Sequence, residues 1–158
     1  MGYTTDFWGE FVLDKPLTDK DYRFLIKLSQ TRRMARNIEG YGVEGEFYVD
    51  GEGDYGQANE DNIVNYNKPP STQPSLWLHW TPGEDGKSIV WDGGKKFYEY
   101  LEWLKYLVKS ILEPRGYVLN GKVHYQGEDP DDFGYIVTEN NVVKVSYGVI
   151  DYGPLEAV

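Results

Sequence analysis

DGGKKFYEYLEWLKYLVKSILEPRG, residues 92–116, is the stretch whose reading decides the fold. At 100° per residue, Phe97, Tyr100, Leu101, Leu104, Leu107, Val108, Ile111 and Leu112 fall within an arc of roughly 140°. Glu99, Glu102, Lys105, Lys109 and Ser110 fill the opposite side. Asp92 or one of the glycines after it can start the helix, and Pro114 and Gly116 stop it, because proline lacks an amide proton and clashes with the preceding turn. A helix with one apolar stripe must lay it on a sheet or another helix. Trp103 and Tyr106 fall outside the arc and so face away from that sheet. Three fates are open to them: plain exposure, cover by the segment 39–75 through Tyr55 and Tyr66, or a self-contact between two copies of the helix, a homodimer anchored on Trp103.

Upstream, LWLHW at 76–80 and SIVW at 88–91 flank TPGEDGK and read as a hairpin, with Leu76, Leu78 and Trp80 on one face and Trp77 and His79 on the other. Residues 3–13 alternate as a strand, with Tyr3, Thr5, Phe7, Phe11 and Leu13 on the buried face and a bend at Gly9. Thr18 to Asp21 resembles a capping box, so a first helix should run from Asp19 to about Arg36. Continued to its end, that wheel puts Arg32, Arg33 and Arg36 on the side of Tyr22, Leu25 and Ile26. Three guanidinium groups cannot be buried unpaired. They either complement the helix C-terminus or meet carboxylates or an anionic ligand.

Downstream, Asn120-Gly121 within YVLNGKVHYQ is a two-residue hairpin signal, and residues 134–138 and 142–147 pair around Glu139-Asn140-Asn141. From Glu39 to Ser75 glycine, acids, asparagine and proline dominate. A strand or hairpin at 46–49, then an irregular excursion, is expected there. The order strand, helix, excursion, two strands, helix, meander fits a split βαβ plan. The prediction is α+β: an antiparallel sheet with two main helices on one face and a C-terminal β-meander, in a single domain over 1–158.

The 158 residues carry a net charge of −10 and no cysteine. Disulfide frameworks, thiolate zinc sites and cysteine nucleophiles are excluded, and a reducing cytoplasm fits. Non-specific nucleic-acid binding is not expected, since a phosphate backbone needs clustered Lys and Arg. No run reaches transmembrane length, so no membrane association is expected. Asp50, Glu52, Asp54 and Asp61 only loosely match a calcium loop, because the glycine is misplaced and the final bidentate Glu is missing. Gly51 to Gly56 is too acidic for phosphate. His79 and His124 sit in no metal or nucleophile-elbow context, and the acidic turn Glu128-Asp129-Pro130-Asp131-Asp132 reads as exposed. No catalytic residue, metal or cofactor is expected.

One constellation remains. Trp91-Asp92-Gly93-Gly94-Lys95-Lys96 reads as a strand end, a glycine turn and a helix N-terminus, where free amides and two lysines could hold an anion. Trp77, Trp80 and Trp91 lie on or near the same hairpin, and aromatic faces can sandwich a base. With Arg32, Arg33 and Arg36 these are the ingredients of a nucleotide-like pocket. The alternative is that the glycines only permit the turn and the tryptophans fill the core.

GYTTDFWGEF, VEGEFYVDGEGDYGQ, NYNKPPSTQPSLW, IVWDGGKKFYEYLEWLKYL and GYVLNGKVHYQGEDPDDFGYIV together resemble a family of small hypothetical proteins of bacterial genomes and tailed phages. The resemblance spans nearly the whole chain and implies a complete protein; it carries over no catalytic residue. It implies a cytoplasmic accessory protein, in the host cytoplasm where phage-encoded, of the kind that neutralises host defences. The function expected is therefore a non-enzymatic binder of a nucleotide-like or other small anionic ligand, such as a sponge for a defence signal. The alternative is an acidic inhibitor docking on a basic host defence protein through 39–75 and 128–132.

Overall fold

The structure is a computed structural model that describes residues 2–37 and 63–158. The hairpin expected at 46–49, the calcium-like residues 50–61 and Tyr55 lie outside the described residues. Strands β1 (Thr5–Leu13), β4 (Trp80–Pro82), β5 (Ser88–Trp91), β6 (Leu119–Gly127), β7 (Phe133–Glu139) and β8 (Val142–Tyr147) form one sheet in the order β4-β5-β1-β6-β7-β8. Every neighbouring pair is antiparallel. The strands β5 and β6 both run against β1, so they are parallel to each other with β1 between them. The helix that joins them completes a split βαβ unit, and β6-β7-β8 extends the sheet as a meander. Strands β2 (Ala35–Arg36) and β3 (Ile63–Asn65) make a separate two-stranded ribbon. The α+β architecture is the one expected.

The alternation in 5–13 works as read: Thr5, Phe7, Phe11 and Leu13 are buried, and Asp6, Trp8, Glu10 and Val12 are exposed. Phe7 meets Trp80 edge-on at 5.1 Å and Tyr100 at 5.0 Å, and Trp91 and Phe97 close around it. The expected bend at Gly9 has φ +110. Asn120-Gly121, in contrast, is not a turn. It lies inside β6, with Gly121 opposite Phe11 in a register that runs unbroken from Thr5↔Gly127 to Leu13↔Leu119. A two-residue signal closes a hairpin only when its two flanks pair with each other, and here both flanks pair with β1. The glycine serves close approach instead. At φ +139, a Cβ there would sit 2.7 Å from the Glu10 carbonyl and 2.9 Å from Phe11 Cα. The expected Asn140-Asn141 hairpin does form, with φ of +47 and +69, which asparagine tolerates.

The first helix, α1, covers Asp19–Gln30, with the Asp21 N–H donating to the Thr18 hydroxyl at 3.1 Å as the capping pattern foretells. It ends six residues short of Arg36. Ser29 and Thr31 hydroxyls donate to the carbonyls of Ile26 and Lys27 at 2.8 and 2.7 Å, and Thr31 is already extended. Such side-chain bonds compete with helix propagation. The second helix, α2, starts at Tyr100, eight residues after Asp92, because Gly93, Lys96 and Glu99 all take positive φ.

From Leu107 to Leu112 it widens into a π-helix, shown by the Glu113 N–H bonding the Val108 carbonyl at 2.8 Å. The buried rows are Trp103-Leu107-Ile111 and Leu104-Val108-Leu112. In an α-helix a four-residue step overshoots a turn by about 40°; in the wider π turn the same step falls short of one, so the two drifts offset along each row. The buried side chains of α1, of α2 and of the inner sheet face form one apolar cluster.

Trp103 does not face solvent. It is 0% exposed, its indole N–H donates to the Ser75 hydroxyl at 2.6 Å, and Tyr106 meets it edge-on at 5.5 Å. The chain returning through Gln73 and Ser75 roofs the side of α2 that the wheel leaves bare, with Gln73 donating to the Tyr106 hydroxyl at 3.3 Å. This overturns Trp103 as the anchor of a self-contact. Tyr66 remains 37% exposed.

Two outcomes test this packing. In urea unfolding, Gly121→Ala should cost about 2–4 kcal/mol, since it adds backbone overlap to the unfavourable φ, whereas Gly93→Ala, with nothing within 4 Å at φ +85, should cost about 1. Trp103→Glu should leave an unfolded chain by circular dichroism; a folded variant of altered mass would restore the interface reading.

Candidate functional site

The Trp80↔Trp91 pairing at the open end of the β4–β5 hairpin sets the residues just beyond it, His79 and Asp92, side by side. The Asp92 N–H donates to the His79 carbonyl at 3.0 Å, and His79 Nδ1 lies 3.0 Å from both carboxylate oxygens of Asp92. Asp92 Oδ1 also accepts the Gly94 N–H at 2.7 Å, and the Trp91 indole donates to the Gly94 carbonyl at 3.0 Å. Gly94 is required here, because a Cβ would overlap the His79 ring. These bonds hold 92–94 as a tight side-chain-capped turn.

Beside this turn opens a cleft of about 870 Å³. Trp77, His79, Asp92, Lys95, Lys96 and Tyr98 line it, with Ser29 and Gln30 from the end of α1 and Pro69 and Pro74 from the returning chain. The stem of Lys96 packs by Gly2, and the Tyr98 hydroxyl accepts the Tyr3 N–H at 3.1 Å, so the N-terminal strand steadies this rim. The lysines lie in an exposed loop. Two ammonium groups beside an indole and a phenol can take an anion attached to a flat ring.

Among the residues of the tryptophan, arginine and WDGGKK sets singled out in the sequence, Trp77, Asp92, Lys95 and Lys96 come together in this cleft. The others do not line it. Arg32 donates from Nε and Nη2 to the Tyr66 carbonyl at 3.2 and 3.1 Å. Arg33 is buried, donates from Nε to Gln73 Oε1 at 3.1 Å, and is lowered to about 10 by burial, which leaves it cationic at neutral pH. Arg36 is buried in β2. With α1 ending at Gln30, these arginines sit on extended chain and help tie 32–36 to 63–73. Trp80 is a core residue whose indole donates to the Tyr100 carbonyl at 2.9 Å, and Trp91 is half-buried against Phe7. Gly93 and Gly94 shape the turn.

The helix N-terminus expected at these glycines is absent, so anion attraction in the cleft rests on side chains. Sequence reading sets His79 aside, does not pair it with Asp92 and does not single out Tyr98. A hairpin register extended by one residue pairs 79 with 92; that signal was present in LWLHW and SIVWD.

The acidic turn 128–132 is exposed from Glu128 to Asp131, as expected, and half-buried at Asp132. Glu128 Oε1 accepts the Thr4 N–H at 2.7 Å and Asp132 Oδ2 accepts the Tyr3 hydroxyl at 2.6 Å. This carboxylate shapes a tyrosine cluster. The Tyr3 phenol is raised chiefly by its bond to Asp132, Tyr125 by burial and then Asp132, and Tyr100 strongly by burial, then by Tyr125 and Asp132. Among the described residues no group of three or more acidic or histidine side chains could hold a metal ion, and no helix is long and apolar enough to cross a membrane.

Compared with protein-family models, with curated proteins and with solved structures, the chain gives no match.

The tyrosine cluster sets an alkaline limit. A phenol whose folded value is raised above the ordinary 10.0 contributes stability that is fully present below pH 10 and is lost as pH rises through the folded value. Unfolding free energy should therefore fall above pH 10, and Tyr100→Phe should make that fall shallower in urea titrations repeated from pH 8 to 11.

Proposed function

We propose that this chain is a non-enzymatic binding protein for a small anionic ligand carrying an aromatic ring, a nucleotide or nucleotide-like signal, held in the cleft beside the 92–98 loop. The observation that carries this reading is the convergence of Trp77, Tyr98, Lys95 and Lys96 on one cleft of about 870 Å³. That volume lies within the range of ordinary small-molecule sites, and an apolar lining with a few placed polar groups is their usual composition. The indole and phenol would take the ring, and the two ammonium groups the phosphate. Against a background charge of −10, these lysines make a local positive spot on a surface that otherwise repels anions. Held without being converted, such a ligand is sequestered, the role expected of a bacterial or phage accessory protein.

Calorimetry against mono-, di- and cyclic nucleotides tests the reading. Binding is expected at micromolar protein, weakened about tenfold or more by Lys95→Ala combined with Lys96→Ala, since charge-assisted bonds contribute about 1.5–3 kcal/mol each. Arg32→Ala should leave affinity unchanged and lower stability only. Absence of heat with every nucleotide would reject the proposal.

A further inference from the structure

The wall of the cleft carries an imidazole nitrogen, Nε2 of His79, that the proposed ligand contacts have not used. His79 presents Nδ1 to Asp92 at 3.0 Å from both oxygens, so Nδ1 carries a proton whichever state the ring is in. Asp92 cannot swing away easily, because Gly94 holds Oδ1 and the Asp92 main chain is bonded to His79. The ring is braced edge-on against Phe97 at 5.1 Å. Among the described residues its hydrogen bonds are both through Nδ1. Nor is Nε2 sealed in: among the described residues, the buried side-chain polar atom without a partner is the Thr138 hydroxyl. A braced imidazole on the wall of the cleft thus keeps Nε2 available to a ligand.

We propose that His79 Nε2 is the third anion-binding group of the cleft, selecting a phosphate monoester and taking up a proton as the ligand binds. This rests on the nucleotide reading above and specifies its chemistry. With the imidazole neutral, Nε2 offers a lone pair, which repels a phosphate oxygen. With it protonated, Nε2–H donates to that oxygen in a charge-assisted bond.

The groups facing it decide the charge of the favoured ligand. Asp92 is negative, Lys95 and Lys96 are positive, and Tyr98 is a phenol; α1 contributes Ser29 and Gln30, and the returning chain contributes prolines, Ser75, Leu76 and Trp77. A protonated His79 neutralises Asp92 and leaves the two lysines to match a phosphate monoester, which carries about two negative charges above its second ionisation near pH 6. A cyclic or diester phosphate carries one fewer. Asp92 is a positioning residue in this arrangement.

The test is calorimetry of the full chain with a 5′-mononucleotide at pH 8, where the ligand's own second ionisation is complete, in two buffers of different ionisation heat. The expected result is uptake of a substantial fraction of one proton, with Kd weakening by up to about tenfold per pH unit as pH rises. A 3′,5′-cyclic nucleotide should bind more weakly and with less uptake. His79→Gln should retain weakened binding and lose the proton uptake.

Proton NMR gives a readout without mutation. At pH 7.5 the His79 ring signal should move to its protonated position on adding the mononucleotide, while that of His124, stacked on Trp8 at 5.7 Å on the outer sheet face, stays put. Binding without proton uptake overturns this inference and leaves the ligand reading standing. Failure of every nucleotide to bind overturns both.

Discussion

A central strand must have its backbone bonded on both edges, and β1 is that strand. It is first in the chain, yet it separates β5 from β6, so neither half of the sheet is complete until residues 5–13 are in place. The β1–β6 ladder is possible only because the two backbones approach without side chains between them at Gly121 and Gly9, where a Cβ would lie 2.7 Å from a carbonyl of the opposite strand. From this ladder the aromatic face follows. Phe7 sits where Trp80, Trp91, Phe97 and Tyr100 can all turn their edges or faces to it, an arrangement that ring quadrupoles favour over parallel stacking.

The second organising fact is the return of the chain through residues 63–79. It supplies the roof over Trp103, the acceptors for Arg32 and Arg33, and one wall of the cleft. Basic side chains that look like ligand contacts in the sequence therefore act as ties. A guanidinium fork on a backbone carbonyl, as at Arg32 and Tyr66, is a way of fixing irregular chain that cannot form a ladder of its own. Among the described residues the lysines of the 92–98 loop make no such tie, and their placement beside Trp77 and Tyr98 sets that cleft apart from the arginine ties.

Both corrections to the candidate site have one source, the behaviour of helix ends. Carrying α1 to Arg36 grouped the arginines on a helix side, and starting α2 at the Gly93-Gly94 turn created a helix N-terminus for an anion. Ser29 and Thr31 hydroxyls stop the first helix early, and a run of positive φ at Gly93, Lys96 and Glu99 delays the second. Composition around a helix end is a weak guide to where it falls, since capping bonds compete over several residues with similar energies.

Period and spacing in the sequence by themselves determined the α+β class, the buried face of 5–13, the Thr18 cap, the Asn140-Asn141 turn and the Leu104-Val108-Leu112 row of the long helix. Each follows from interactions within a few residues. The pairing of Gly121 with Phe11, the burial of Trp103 and the meeting of His79 with Asp92 and of Trp77 with Lys95 and Lys96 were decided by the tertiary structure alone. The physical reason is that they depend on which distant backbone completes a strand's hydrogen bonds and which returning segment covers a helix. Asn-Gly was legible as a place where the chain could turn, but only the competing ladder with β1 made it run straight.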